Sequence, residues 1–425
     1  MAYFVNVIAV FVIMGRAASG QLEVDKYDNV EPFALLCRIY NVAKNPPINY
    51  VDLEEPFEIV REIDTLNRSL LEEETHDEEE NSGNNSEAQV KPIVTREAAI
   101  SQLSLNQITQ KAHTILDEIK KMEVTETIEK GKAEFDKVIF GESGNESDLD
   151  HTALSGVGGR AAACGDTGLS RKGGSVGKSL VVDFFCLCVQ RPDGEGVNQV
   201  CGFYVGSGYK NGLLGWNESE PMGSSTMWAS IKGGCGKHMH QHPKYTSEAR
   251  NILDQFLKHL KTGGVYRWID NSQKTVKDSN RRSGMLGTSA CTENGGSGNC
   301  NIPICNGKEG KKTSSPGGVC VYYGEESEWH NMDWLKQYKT ALVSVEAANN
   351  KTAIMQRYIK KLQMLQHRAE EIYETAKVIS EIKNTVVLAA FQNASANMTA
   401  YNATRTRSNS HNHHPYFAIQ LLLLL

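Results

Sequence analysis

MQRYIKKLQMLQHRAEEIYETAKVI, residues 355–379, decides the fold class. From Met355, the side chains of Tyr358, Leu362, Leu365, Ala369, Ile372, Ala376 and Ile379 recur in steps of three and four, with Lys360, Lys361, Glu370, Glu371 and Lys377 between them. Such a seam stays on one side of a helix and has to be covered by another helix. Upstream, Leu335, Tyr338, Leu342 and Val345 begin the same pattern with a shift near Asn349-Asn350. One helix is therefore predicted from about 333 to 391, roughly 90 Å long at about 1.5 Å per residue. A second seam, Leu105, Ile108, Ala112, Ile115, Ile119 and Met122, predicts a helix over about 95–139 that tolerates Gly131. Neither seam is stable alone, and antiparallel packing of the two, together with a second copy of the chain, covers both. The expected fold is mainly α: an elongated antiparallel helical hairpin or coiled coil with a disulfide-rich, mixed α/β irregular head over about 141–325.

Shorter patterns fill in the rest. Residues 30–42 and 52–71 read as helices separated by Pro46-Pro47, and residues 247–261 as an amphipathic helix ended by Gly263-Gly264. Residues 179–190 and 197–205 read as strands joined by the turn Arg191-Pro192-Asp193-Gly194. The run 72–80, EEETHDEEE, holds seven acids and reads as a solvated loop, since no glycine-turned ligand loop follows to hold calcium.

The charge balance, 45 Lys and Arg against 51 Asp and Glu, gives a net charge of −6 and excludes a general nucleic-acid binder, which needs a clustered cationic excess. Apolar runs at the two ends are too short to span a bilayer. Residues 2–14, AYFVNVIAVFVIM, followed by small residues up to Gly20, read as a cleaved signal peptide over 1–20. At the other end, Ser408-Asn409-Ser410, a polar spacer and YFAIQLLLLL read as a GPI-attachment signal, with Ser408 as the lipidated residue and 409–425 removed. Asn409, Ser410 and Asn402 are the alternatives for that position. Residues 21–392 then form the main domain and 393–408 a short glycosylated tether.

A secreted chain meets an oxidising lumen, so Cys37, Cys164, Cys186, Cys188, Cys201, Cys235, Cys291, Cys300, Cys305 and Cys320 are expected to form disulfides, with connectivity open. Asn67, Asn84, Asn145, Asn217, Asn350, Asn393, Asn397 and Asn402 occupy glycosylation sequons. Two motifs look chemical. The segment 173–179, GGSVGKS, is similar to a phosphate-binding loop, but Lys172 stands where its first glycine belongs and a strand-like run follows where a helix should open. His238, His240 and His242 alternate and would face one way on a strand as zinc ligands, yet they lie in a loop-like GCGKHMHQHPKY. No nucleophile with a partnering base stands out, so neither a catalytic residue nor a cofactor is expected.

Three features together resemble the variant surface glycoproteins of African trypanosomes, with a B-type N-terminal domain. They are PFALLCRIY at 32–40, Ala161-Ala162-Ala163-Cys164-Gly165 in the head, and the two heptad helices with the GPI tail. The resemblance implies a homodimeric, non-enzymatic coat subunit held in the outer leaflet by its GPI lipid. Such a coat shields invariant proteins, presents head loops to host antibodies, and evades immunity by serial replacement. Many members carry a cysteine-rich C-terminal domain, whereas no cysteine follows Cys320 here, so the chain resembles coats with a short membrane-proximal tether. Two other readings stand beside it: a GPI-anchored nutrient receptor of transferrin type on the same scaffold, and a zinc-dependent surface enzyme using His238, His240 and His242.

Overall fold

The seam at 355–379 is helical throughout and belongs to α9, a single helix over Asp333–Met398 of 66 residues. Its heptad positions are not equal. Met355, Leu362, Ala369 and Ala376 are buried, while Tyr358, Leu365, Ile372 and Ile379 stay half-exposed. The computed structural model describes residues 23–79, 96–206, 214–238, 242–270, 275–291, 303–310 and 316–398. The expected signal peptide, Asn84, His240, Cys300, Asn402, Ser408 and the removed segment 409–425 lie outside the described residues.

Four helices precede the head: α1 (Val30–Lys44), α2 (Glu55–Glu79), α3 (Arg96–Lys121) and α4 (Val124–Phe140). The single helix expected over 95–139 is thus two. The break falls at Glu123, in the left-handed region with φ 48°. Its cause is legible in the pattern. Continued in phase, the α3 seam would reach Glu126 and Glu129 after Met122, whereas a restart at Val124 puts Val124, Ile128, Phe135 and Val138 inside. The acidic run also departs from expectation: the backbone remains helical through Glu79 rather than forming a loop.

The head contributes α5 (Arg160–Cys164), α6 (Leu180–Cys188), α7 (Ser224–His238) and α8 (Thr246–Thr262). Its strands are β1 (Gly264–Asp270), β2 (Thr275–Arg282), β3 (Met285–Cys291) and β4 (Gly317–Tyr322). They form one sheet in the order β2-β1-β3-β4, with β1 and β3 parallel and the other pairs antiparallel. Neither strand expected from the sequence belongs to it. Residues 180–188 are helix α6, capped by Ser179, whose Oγ accepts the Val182 amide at 3.3 Å. Residues 197–205 are turns and bends, with Gln199 at φ 57° and Gly202 at φ 93°.

The chain divides into two compact units, residues 1–52 with 119–357, and residues 53–118 with 358–425. In the first, α4 runs antiparallel to the start of α9. Lys351 Nζ donates to Thr127 Oγ1 at 2.8 Å, the Phe135 and Tyr338 rings meet edge to face at 5.6 Å, and Gln337 Nε2 donates to Glu142 Oε2 at 2.9 Å. Behind them Phe33, Tyr40, Phe140, Phe184 and Trp228 form an aromatic cluster joining α1, α4, α6 and α7. Asn29 Nδ2 donates to Leu187 O and Val319 O, fixing the start of α1 to α6 and β4.

In the second unit α2 adds a third helix to the expected pair. It runs antiparallel to α3, with His113 Nε2 2.9 Å from Asp64 Oδ1 and Asn67 Nδ2 donating to Asn106 at 3.0 Å. Along α9 its direction is parallel: Gln363 bonds Glu55 at 2.8 Å and Gln366 bonds Glu62.

Candidate functional site

The glycine-rich segment 173–179 is the first place where chemistry was to be sought. A helix, α6, does follow it, so Lys178 and Ser179 stand at a helix start as in a phosphate cradle. The loop's amides nevertheless turn inward. Gly174 and Ser175 donate to Ala162 O and Ala163 O at 2.9 and 3.1 Å, Val176 to Gly173 O at 3.2 Å, and Lys178 to Ser175 O at 3.3 Å. Gly177 N donates to Asp183 Oδ1 at 2.9 Å. A phosphate in a P-loop needs those amides free, so these donors hold the fold instead.

Asp183 is the centre of that arrangement. It is the one charge in the apolar run 180–188, fully buried, and accepts Trp334 Nε1 at 2.7 Å and Tyr323 Oη at 2.8 Å besides Gly177. Burial pushes its carboxyl up to about 6, although the three donors and the charge of Lys172 pull the other way. Tyr323, buried against this carboxylate, is raised well above its ordinary value by burial first and the neighbouring charge second. Arg160 is a second buried charge. Its guanidinium donates to Val189 O at 2.5 Å and Cys186 O at 3.0 Å and lies 5.8 Å from the Trp216 ring centre. Burial, with Arg191 nearby, lowers it to about 9. Both charges tie α6 to its surroundings through these contacts. For Asp183 the sequence signal is a lone charge inside an apolar run, whereas Arg160 stands among glycines and alanines and carries no such sign.

One disulfide joins Cys37 of α1 to Cys235 of α7, and within the head disulfides join Cys164 to Cys186, Cys188 to Cys201 and Cys305 to Cys320. Cys291 is disulfide-bonded as well, and no free cysteine occurs among the described residues. Of the three histidines weighed as zinc ligands, His238 ends α7 and His242 places Nδ1 2.8 Å from Asn41 Oδ1. Among the described residues no group of three or more His, Cys, Asp or Glu is placed to hold a metal.

The sequons differ in setting. Asn145 is exposed and its Oδ1 accepts the Ser147 and Asp148 amides, while Asn217 Oδ1 accepts the Ser219 amide at 2.9 Å. Asn350 is exposed on α9, and Asn393 and Asn397 lie in its last turns. Asn67 is half-buried instead between α2 and α3, where its Nδ2 donates to Asn106 Oδ1 and its Oδ1 accepts Gln102 Nε2. No helix among the described residues is long and apolar enough to cross a membrane.

Residues 76–364 match the family described as the trypanosomal VSG domain, B type, a stretch that includes α3, α4, the head and about the first half of α9. The variant surface glycoprotein YnAT 1.3 of Trypanosoma congolense is 25% identical over 250 residues, 58% of this chain. The match spans 52% of that relative's own length, about half of it.

Proposed function

The chain belongs to the trypanosomal VSG domain family, and from that premise we propose that it is a GPI-anchored, non-enzymatic subunit of a dense cell-surface coat. In this reading the coat shields the membrane beneath it, host antibodies meet the head, and replacement of the whole protein evades them. The match over 76–364 carries the proposal, because it includes the heptad helix α3, the cysteine-rich head and the first half of α9. The apolar run at 2–14 and the small-residue triplet with its apolar tail at 408–425 supply the corresponding address and anchor. Ser408 is the residue proposed to receive the lipid.

The subunit is proposed to be a homodimer. Tyr358, Leu365, Ile372 and Ile379 are half of a heptad seam that the single chain leaves half-exposed, and Met364, Val378 and Ile382 on the same helix are 64%, 50% and 57% exposed. A second copy is the simplest cover for such a line. One experiment tests anchor, abundance and association together: phosphatidylinositol-specific phospholipase C treatment of intact cells, with the released protein counted per cell and its mass measured under native conditions. A dominant, dimer-sized glycoprotein in the released fraction is expected. Release of a trace species would turn the assignment toward a receptor, and no release would refute the GPI anchor.

A further inference from the structure

Lys178 and Ser179 also wall a cleft that the packing of the head leaves open. The end of α4, the loop after it, the start of α6 and the first turn of α9 enclose about 450 Å³, within the range of small-molecule sites. All of these residues belong to the unit formed by 1–52 and 119–357. Three lysines line the space: Lys137, Lys178 and Lys336. Lys137 is answered by Glu142, whose Oε1 is 2.9 Å from its ammonium and whose other oxygen accepts Gln337. Lys178 and Lys336 are exposed, and among the described residues neither has an ion-pair partner.

The surroundings favour an anion further. Ser179 is the N-cap of α6 and α9 begins at Asp333, so two helices start at the cleft, while the Asp333 carboxylate itself joins Glu142 in the lining and leaves three lysines against two acids. Ser155, Phe140 and Val157 are also in the lining, which gives it a polar and an apolar side. One ammonium group in excess, together with the two helix starts, favours an anion with several acceptor oxygens. We propose that this cleft binds a small phosphate-bearing molecule, with Lys178 and Lys336 as its charged contacts. The inference does not depend on the coat assignment.

Isothermal titration calorimetry of the purified protein with inorganic phosphate, glucose 6-phosphate and glucose tests it. Saturable binding of a phosphate probe is expected, with glucose silent. Lys178→Gln and Lys336→Gln, exposed and remote from the core, should each weaken binding about tenfold or more. Lys339→Gln, on the same helix but outside the cleft, should change nothing. Equal affinity for the two phosphates identifies the free anion as the ligand, and tighter binding of glucose 6-phosphate identifies a sugar ester. No saturable binding of either phosphate at millimolar concentration overturns the proposal, as does binding that the two cleft substitutions leave unchanged.

Discussion

Asp183 sets α6 against the rest of the head, and it does so as a charge in a place that disfavours charge. Its folded pKa is about 6 against an ordinary 3.8. Between those values the folded chain binds more protons than the unfolded one, so this carboxyl's contribution is fully present below about pH 4 and is lost as pH rises through about 6. The difference corresponds to roughly 3 kcal/mol. Asp183→Asn removes the titration while keeping an oxygen acceptor, so urea unfolding of the two proteins across pH 4–7 should show wild type losing stability relative to the variant as pH rises. Parallel profiles would mean that Asp183 titrates as an ordinary carboxylate. Asp183→Ala is a separate matter. It leaves Gly177 N–H, Tyr323 O–H and Trp334 Nε1–H without their acceptor and should cost about 3 kcal/mol or more at any pH.

Gly131 shows how one position governs a helix pair. Read from sequence it is a weak point in a helix; in the fold it packs against α9, a Cβ there falling 3.2 Å from Val345 Cγ2. Gly131→Ala should stay within about 1 kcal/mol of wild type, since better helix propensity offsets the tight contact. Gly131→Leu should lose about 2–3 kcal/mol by forcing the two helices apart. Thermal melts of both variants decide it, and a neutral leucine would show that α4 yields at this point. The same comparison explains what sequence could reveal. Helices α1, α8 and α9 were legible because one side of each meets solvent, which writes a period into the chain. Helix α6 was not: all nine of its residues are buried, so Val181, Val182, Phe184 and Phe185 look like a strand, and only Ser179 signalled a helix start. β3 and β4 are buried along their whole length and gave no alternation either. As for the cleft, Lys178 and Ser179 drew notice through the glycine-rich motif, while Lys137 and Lys336 reach it from helices far away in sequence and carried no local sign.

Taken as a whole chain, the fold depends on a return. Residues 1–52 begin the first unit, the chain leaves to build α2 and most of α3 in the second, and it comes back at residue 119. Packing of α1 against α4, α6, α7 and α8 has to be recovered after that excursion. Cys37–Cys235 spans it, with a sequence separation of 198, whereas Cys164–Cys186, Cys188–Cys201 and Cys305–Cys320 close separations of 22, 13 and 15. In the chain-entropy account the constraint on the unfolded state grows with the logarithm of the loop, giving about 5 kcal/mol for the long bond and about 3 kcal/mol for Cys188–Cys201. Two shorter bonds lie inside the long loop and shorten its path, which changes a logarithm little. Replacing Cys37 and Cys235 together by alanine should therefore cost more than replacing Cys188 and Cys201, as read by urea unfolding of the two double variants. Equal losses would place the worth of these bonds in local packing instead. The outcome bears on the proposed coat, because a head stapled across its longest excursion keeps its frame while exposed loops vary in sequence.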